Sequence, residues 1–140
     1  METEITLKQL PMVVPLLIWL ATGVLKFSLS CFRTRKITLK HIGSGGFPSN
    51  HTAIIVGTTM FIGFIYGLDA PVFVLGMAIS IIIIFDAIGL RNEVGRHSVY
   101  LNELKGDSEF RERTGHSLLE VLGGVLWGTL IAYLLSELKW

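Results

Sequence analysis

Four stretches of this chain carry almost no charge: residues 11–32, 52–68, 70–90 and 117–136. A helix that crosses about 30 Å of hydrocarbon needs about 20 predominantly apolar residues. Three of the stretches reach that length, and the second does so if its helix begins near Ser49. Backbone N–H and C=O groups in lipid must satisfy one another within the segment, so apolar runs of this length fold as helices. A soluble domain of 140 residues has no use for four of them. The expected fold class is therefore all-α: a polytopic membrane protein forming one domain over 1–140. Its transmembrane helices are expected at about 12–32, 50–68, 71–90 and 117–136, with a polar connection over 91–116.

The remaining composition narrows the function classes. The chain opens with Glu2 and Glu4 rather than a basic cluster, and no small-residue cleavage site follows the first apolar run, which argues against a cleaved signal peptide. A single cysteine, Cys31, excludes an internal disulfide. Cysteine–histidine metal spacing is absent, so neither metal nor cofactor is expected. A net charge of +1, with the basic residues close to apolar segments, gives no footprint for nucleic acid. The connections 33–51 and 91–116 share one membrane side and hold nine Lys and Arg, against two on the other side. By the positive-inside bias these loops are expected in the cytoplasm, with both termini outside. The expected location is the inner or plasma membrane of a prokaryote.

Three formal charges lie inside the spans: Lys26, Asp86 and Glu120. Such residues are costly in hydrocarbon and face a polar interior. With the spans alternating in direction, Lys26 falls two turns before the end of the first. Asp86 lies one turn before the end of the third, Glu120 one turn into the fourth, and His51 at the start of the second. All four reach the same membrane face. His51 follows Gly45-Gly46-Phe47-Pro48-Ser49-Asn50, a stretch suited to a capped helix start whose free N–H groups favour a phosphate. His116 and Glu120 are four residues apart, so the carboxylate reaches the imidazole across one helical turn. A histidine held in this way has a set tautomer and a more basic free nitrogen, as a nucleophile or base requires. His51 supplies an acid–base partner. Lys26, Arg33 and Arg91 supply cations for a phosphoryl group.

Simpler readings stand beside these. Taken singly, Lys26 and Arg33 snorkel to headgroups, and Arg91 and Arg96 count as ordinary cytoplasmic-side charges. Asp86 pairs structurally with Lys26 or Arg91, and His116–Glu120 only pins a helix start. Gly63-x-x-x-Gly67 and Gly124-x-x-x-Gly128 provide for close helix contact.

The order Lys26-x6-Arg33, Pro48-Ser49-Asn50-His51 and His116-x3-Glu120 resembles the three motifs of the type 2 phosphatidic acid phosphatase superfamily, which is related to the vanadium haloperoxidases. Gly45-Gly46-Phe47-Pro48-Ser49-Asn50-His51-Thr52-Ala53, Asp86-Ala87-Ile88-Gly89-Leu90-Arg91, Leu101-Asn102 and Gly115-His116 are more similar to its small, divergent branch. The likeness covers about residues 22–130. It implies a helical bundle of that superfamily's type, acting without a metal on a phosphomonoester or diphosphate of a lipid. Candidate substrates are phosphatidate, phosphatidylglycerophosphate and polyprenyl phosphates. Carried over, His116 is the nucleophile that becomes phosphohistidine, Glu120 orients it in place of the usual aspartate, and His51 protonates the leaving oxygen. Lys26, Arg33, Ser49 and Asn50 bind phosphate together with amides of the stretch containing Gly45 and Gly46, and Asp86 supports Arg91.

Thr34 stands where the family has proline, Asn50 where it has glycine, and Phe110 where it has the arginine six residues before the histidine. Arg91, Arg111 and Arg113 are the candidates to replace that arginine, and Arg91, near Asp86, is preferred. The superfamily's members have six spans against about four here, which leaves room for a homodimer. Their sites face away from the cytoplasm, opposite to the side that the charge bias selects. The alternative function is non-enzymatic binding or translocation of an anionic lipid or small anion, for which the cations suffice.

Overall fold

The computed structural model describes residues 4–34 and 46–138, with side chains over 11–32 and 46–138. The described residues form five helices: α1 (Glu4–Thr34), α2 (Asn50–Tyr66), α3 (Pro71–Ile88), α4 (Leu90–Lys105) and α5 (Leu118–Glu137). Among the described residues, three segments are long and apolar enough to cross a membrane: Pro11–Phe32, Pro71–Lys105 and Leu118–Glu137. The fourth expected span, α2, is a shorter apolar helix of 17 residues. The chain is an all-α integral membrane protein.

Two boundaries depart from the sequence reading. The helix of the first span begins before residue 12: α1 runs unbroken from Glu4 and contains both Pro11 and Pro15. Each proline removes one donor from the ladder, and the long apolar helix carries through both. The third span does not simply stop near Leu90. Gly89 takes a non-helical φ of −102° and ψ of −89°, and α4 starts directly after it. Gly106, in the left-handed region at φ +69°, then closes α4, as a glycine beyond a helix end commonly does.

The bundle is built around α2, which packs most extensively on α5, then on α3 and α1. Its buried face consists of Thr52, Ala53, Val56, Gly57, Thr59, Phe61 and Gly63. The facing side of α5 includes Gly124, Gly128 and Ala132. A side chain on Gly57 would meet the Gly128 carbonyl oxygen at 2.7 Å, and one on Gly128 would strike the backbone of Ala53. Lipid provides little hydrophobic drive for helices to associate, so close backbone approach and buried hydroxyls carry the packing. Thr22 donates to the Ile18 carbonyl at 2.7 Å, Ser80 to the Gly76 carbonyl at 2.8 Å, and the Thr59 and Ser80 hydroxyls meet at 3.4 Å. Gly124-x-x-x-Gly128 thus lies in the α2–α5 contact. Of the other pair, Gly63 packs on Phe73, whereas Gly67, at φ +98°, caps α2.

The outside is the reverse of a soluble protein's. Val72, Val74, Leu75, Ile81, Ile82 and Phe85 of α3 are exposed. Apolar surface of this extent on a single helix requires lipid or protein against it. The C-terminal ends of α1 and α3 and the N-terminal ends of α2 and α5 share one end of the bundle, and the polar residues gather there.

Candidate functional site

Phe47–Pro48 is a cis peptide, and Ser49 follows as the N-cap of α2. The Ser49 hydroxyl accepts from the Thr52 amide at 3.5 Å and from the Thr52 hydroxyl at 2.9 Å. The Ser49 amide donates to the Glu120 carbonyl at 2.8 Å, tying the start of α2 to the first turn of α5. His51, one residue into α2, is exposed at the bundle end. Asn50 beside it has a buried Oδ1 without a hydrogen-bond partner among the described residues. A buried polar atom in that condition calls for a ligand or water.

The start of α5 is a capping box. The Ser117 hydroxyl accepts from the Glu120 amide at 3.3 Å, and Glu120 Oε2 accepts from the Ser117 amide at 3.0 Å. The same Oε2 lies 3.1 Å from His116 Nδ1, and both side chains are buried. Capping and orienting are therefore two roles of one carboxylate, not rival explanations of it. With Nδ1 donating to Glu120, Nε2 is the nitrogen left with a lone pair. The His116 main chain is fastened as well: its amide donates to the Ala87 carbonyl at 3.0 Å, and its carbonyl accepts from Asn92 Nδ2 at 3.1 Å. The His51 and His116 rings stand with centroids 6.1 Å apart, inclined at 59°.

Cations surround this pair. Lys26 reaches across from α1, its Cε within 3.7 Å of where a side chain on Gly46 would begin. Gly46 has φ +139°, a conformation that glycine adopts without strain. Lys26 is in electrostatic range of Glu120, Arg113 and Arg111, and His51 of Arg91, His116, Lys26 and Asp86. Arg91 Nε donates to Asp86 Oδ2 at 2.6 Å. Arg113 Nη2 donates to Glu120 Oε1 at 2.6 Å. Glu120 is thus shared between His116 and an arginine that the sequence reading considered but did not prefer.

Arg113 reaches Glu120 because the segment after α4 folds back along that helix. Asn102 holds it through Nδ2 to the Phe110 carbonyl at 2.8 Å and to Glu112 Oε1 at 3.0 Å, and accepts from the Phe110 amide at 2.9 Å. The Thr114 hydroxyl donates to the Arg91 carbonyl. Gly95 leaves room for the Glu112 backbone. No periodic pattern marks such a strap, so spacing alone could not select Arg113. Gly45 and the side chain of Arg33 lie outside the described residues, as does the basic run Arg35, Lys36 and Lys40. Among the described residues no cluster of three His, Cys, Asp or Glu side chains could hold a metal ion.

His51, His116 and Glu120 are thus brought together at one bundle end, with Lys26, Ser49 and Arg91 around them. The model of the Divergent PAP2 family matches residues 7–131. The chain belongs to the Divergent PAP2 family. Among curated proteins, a relative in Bacillus subtilis (strain 168) named "Uncharacterized membrane protein YuiD" is 26% identical over 134 residues, covering 81% of this chain and 85% of the relative. No solved structure matches. Membership in the Divergent PAP2 family gives this membrane protein a general role of the PAP2 type.

Proposed function

We propose that the chain is a membrane phosphatase that hydrolyses a phosphate ester of a lipid through a phosphohistidine. The observation that carries this reading is the buried contact between His116 Nδ1 and Glu120 Oε2 at 3.1 Å, with the His51 ring 6.1 Å from that of His116. His116 Nε2 attacks phosphorus while the bond to the lipid oxygen breaks, and protonated His51 gives that oxygen its proton. Water then attacks phosphorus, His51 takes a proton from it, and the P–N bond breaks to release inorganic phosphate and free His116. Glu120 keeps the proton on Nδ1 and stabilises the imidazolium character that builds up during attack. Lys26, Arg91 and Arg113, with the first-turn amides of α2 at Asn50 and His51, stabilise the charge on the equatorial oxygens.

The test is phosphate release from a panel of lipid phosphates by purified protein in detergent. Vanadate is expected to inhibit more strongly than phosphate, since it adopts the five-coordinate geometry of the transition state. EDTA is expected to leave the rate unchanged, because the protein supplies both nucleophile and cations. If the panel binds without phosphate release, the chain is instead a binder or carrier of anionic lipid, for which the cations alone suffice.

Arg113 and Arg91 separate by their partners. Arg113→Lys loses the second donor of a guanidinium that must serve Glu120 and phosphate together. It is expected to lower kcat by on the order of tenfold, one charge-assisted hydrogen bond of about 1.5 kcal/mol. Asp86→Asn releases Arg91 and is expected to raise KM with a smaller change in kcat. Equal effects of both changes on kcat would refute this division of roles.

The charge bias favours the cytoplasmic face for the site. In a Cys31→Ser background, Tyr100→Cys and Asp107→Cys are expected to react with a membrane-impermeant maleimide only when the cytoplasmic face is exposed. Labelling from outside intact cells would reverse this orientation.

A further inference from the structure

The hairpin made by α4 and the strap after it leaves the bundle at one root. That root is tied by the Asp86–Arg91 pair, by Asn92 Nδ2 donating to the Ile88 carbonyl at 2.9 Å, and by the His116 amide donating to the Ala87 carbonyl. Among the described residues, α3 is the one helix on which α4 packs extensively. The 16 residues of α4, about 24 Å long, therefore form an arm attached to the bundle end rather than a part of its core.

This arm has distinct faces. Arg91, Gly95, Ser98 and Asn102, spaced four, three and four apart, are its partly or fully buried residues, and the strap covers that side. Leu90, Val94, Leu101 and Leu104 follow the same helical period on an adjoining side, with His97 among them, and all are exposed. Glu93 and Lys105 flank this apolar stripe at about 60° to either side, and Glu103 lies about 140° from it, at 3.6 residues per turn.

Charge and position select what covers the stripe. Arg91, Glu93, Arg96, Glu103 and Lys105 keep α4 out of the hydrocarbon itself, whereas a row of exposed leucines bordered by charges suits the boundary between hydrocarbon and water. That boundary is at hand. Leu90, the first residue of the stripe, is separated from α3 by Gly89 alone, and the exposed Ile82 and Phe85 of α3 continue into it. Headgroup charge has little to grip, because Arg91, Arg96 and Lys105 each already hold a carboxylate, those of Asp86, Glu93 and Glu109.

We infer that α4 is an interfacial arm whose partner is the lipid surface: it lies along the membrane with Leu90, Val94, Leu101 and Leu104 inserted just below the headgroups, held by apolar insertion rather than by headgroup charge. This contact is independent of any hydrolysis at His116. The strap rides on the arm, so the lipid that supports α4 also supports the segment that carries Arg113 to Glu120.

The experiment uses the full chain in phosphatidylcholine vesicles, in a Cys31→Ser background. Leu101→Cys and Glu103→Cys are labelled separately with an environment-sensitive nitrobenzoxadiazole fluorophore. The label at Leu101→Cys is expected to emit at shorter wavelength and to lose at least half its intensity to phosphatidylcholine carrying a nitroxide near the headgroup. It should lose less to a nitroxide near the chain end. The label at Glu103→Cys is expected to be quenched at least twofold more strongly by aqueous iodide. Adding Leu104→Glu, on the same stripe, should cut the headgroup-level quenching at Leu101→Cys at least twofold, and salt or added phosphatidylglycerol should leave it unchanged. Equal iodide quenching of both labels would overturn the inference by placing the arm in water. Stronger quenching from the chain-end nitroxide would overturn it by placing α4 in hydrocarbon. A blue-shifted label at Leu101→Cys that no lipid nitroxide quenches would do so by showing a second copy or another protein on the stripe. Quenching that appears only with phosphatidylglycerol, or that persists in full with Leu104→Glu, would refute apolar insertion.

Discussion

His116→Ala is expected to lower phosphate release by about a thousandfold or more while leaving the protein folded, since losing a nucleophile removes the covalent route and not only binding. The fold should survive because the His116 ring bonds Glu120 at a polar bundle end, whereas the ties to Ala87 and Asn92 are made by its main chain, which alanine retains. Substrate labelled in its phosphate should leave an acid-labile, base-stable label on wild-type protein and none on His116→Ala. His51→Ala should still trap label when the leaving group needs no proton. Glu120→Gln should be milder. The Ser117 amide and His116 Nδ1 both face the Oε2 position, so the glutamine oxygen is retained there and the histidine tautomer is preserved. The glutamine nitrogen then faces the Arg113 guanidinium, donor against donor. Losing that bond and the carboxylate charge is worth about 1.5–3 kcal/mol, roughly a tenfold to hundredfold fall in kcat. Purified His116→Ala hydrolysing at the wild-type rate would end the covalent-histidine mechanism.

Gly128→Val is expected to destroy the bundle rather than the chemistry. Any side chain at Gly128 is directed at the Ala53 main chain, which cannot swing aside as a flexible side chain can. Since α2 and α5 form the largest helix contact, separating them removes the frame of every site residue. Overpacking costs about 1–3 kcal/mol where neighbours can adjust, and more is expected at a backbone-to-backbone crossing. Thermal unfolding in detergent should shift sharply downward or fail to show a cooperative transition. Gly23→Val, at a position with nothing within 4 Å of the added carbon, is the control. A Gly128→Val protein that melts with the wild type would show that this crossing does not hold the bundle together.

The parts of this molecule legible in the sequence are those governed by period and local chemistry. Charge-free runs mark the helices, the stretch 45–50 reads as a capped helix start, and the four-residue spacing of His116 and Glu120 brings them together in the structure. What the sequence hid depends on chain reversal. Arg113 meets Glu120 only because Asn102 holds residues 110–112 against α4, and neither propensity nor spacing encodes such a strap. Gly67 satisfied a helix-contact pattern and serves instead as a cap, because its φ of +98° ends α2 one residue after Tyr66. The unbroken α1 was obscured by Pro11, whose local effect yields to the length of the helix around it.

The short α2 has a consequence for the bundle itself. Its 17 residues span about 26 Å, less than the roughly 30 Å of an average hydrocarbon layer. Neither end can lengthen, since Pro48 and the Ser49 cap close one and Gly67 the other. Since α5, α3 and α1 pack around α2, the shortfall of about 4 Å is met inside the bundle, by polar groups, rather than by lipid. The cluster of Ser49, His51 and His116 at the N-terminus of α2 is where such groups gather, so the helix too short for lipid is the one that ends in polar side chains.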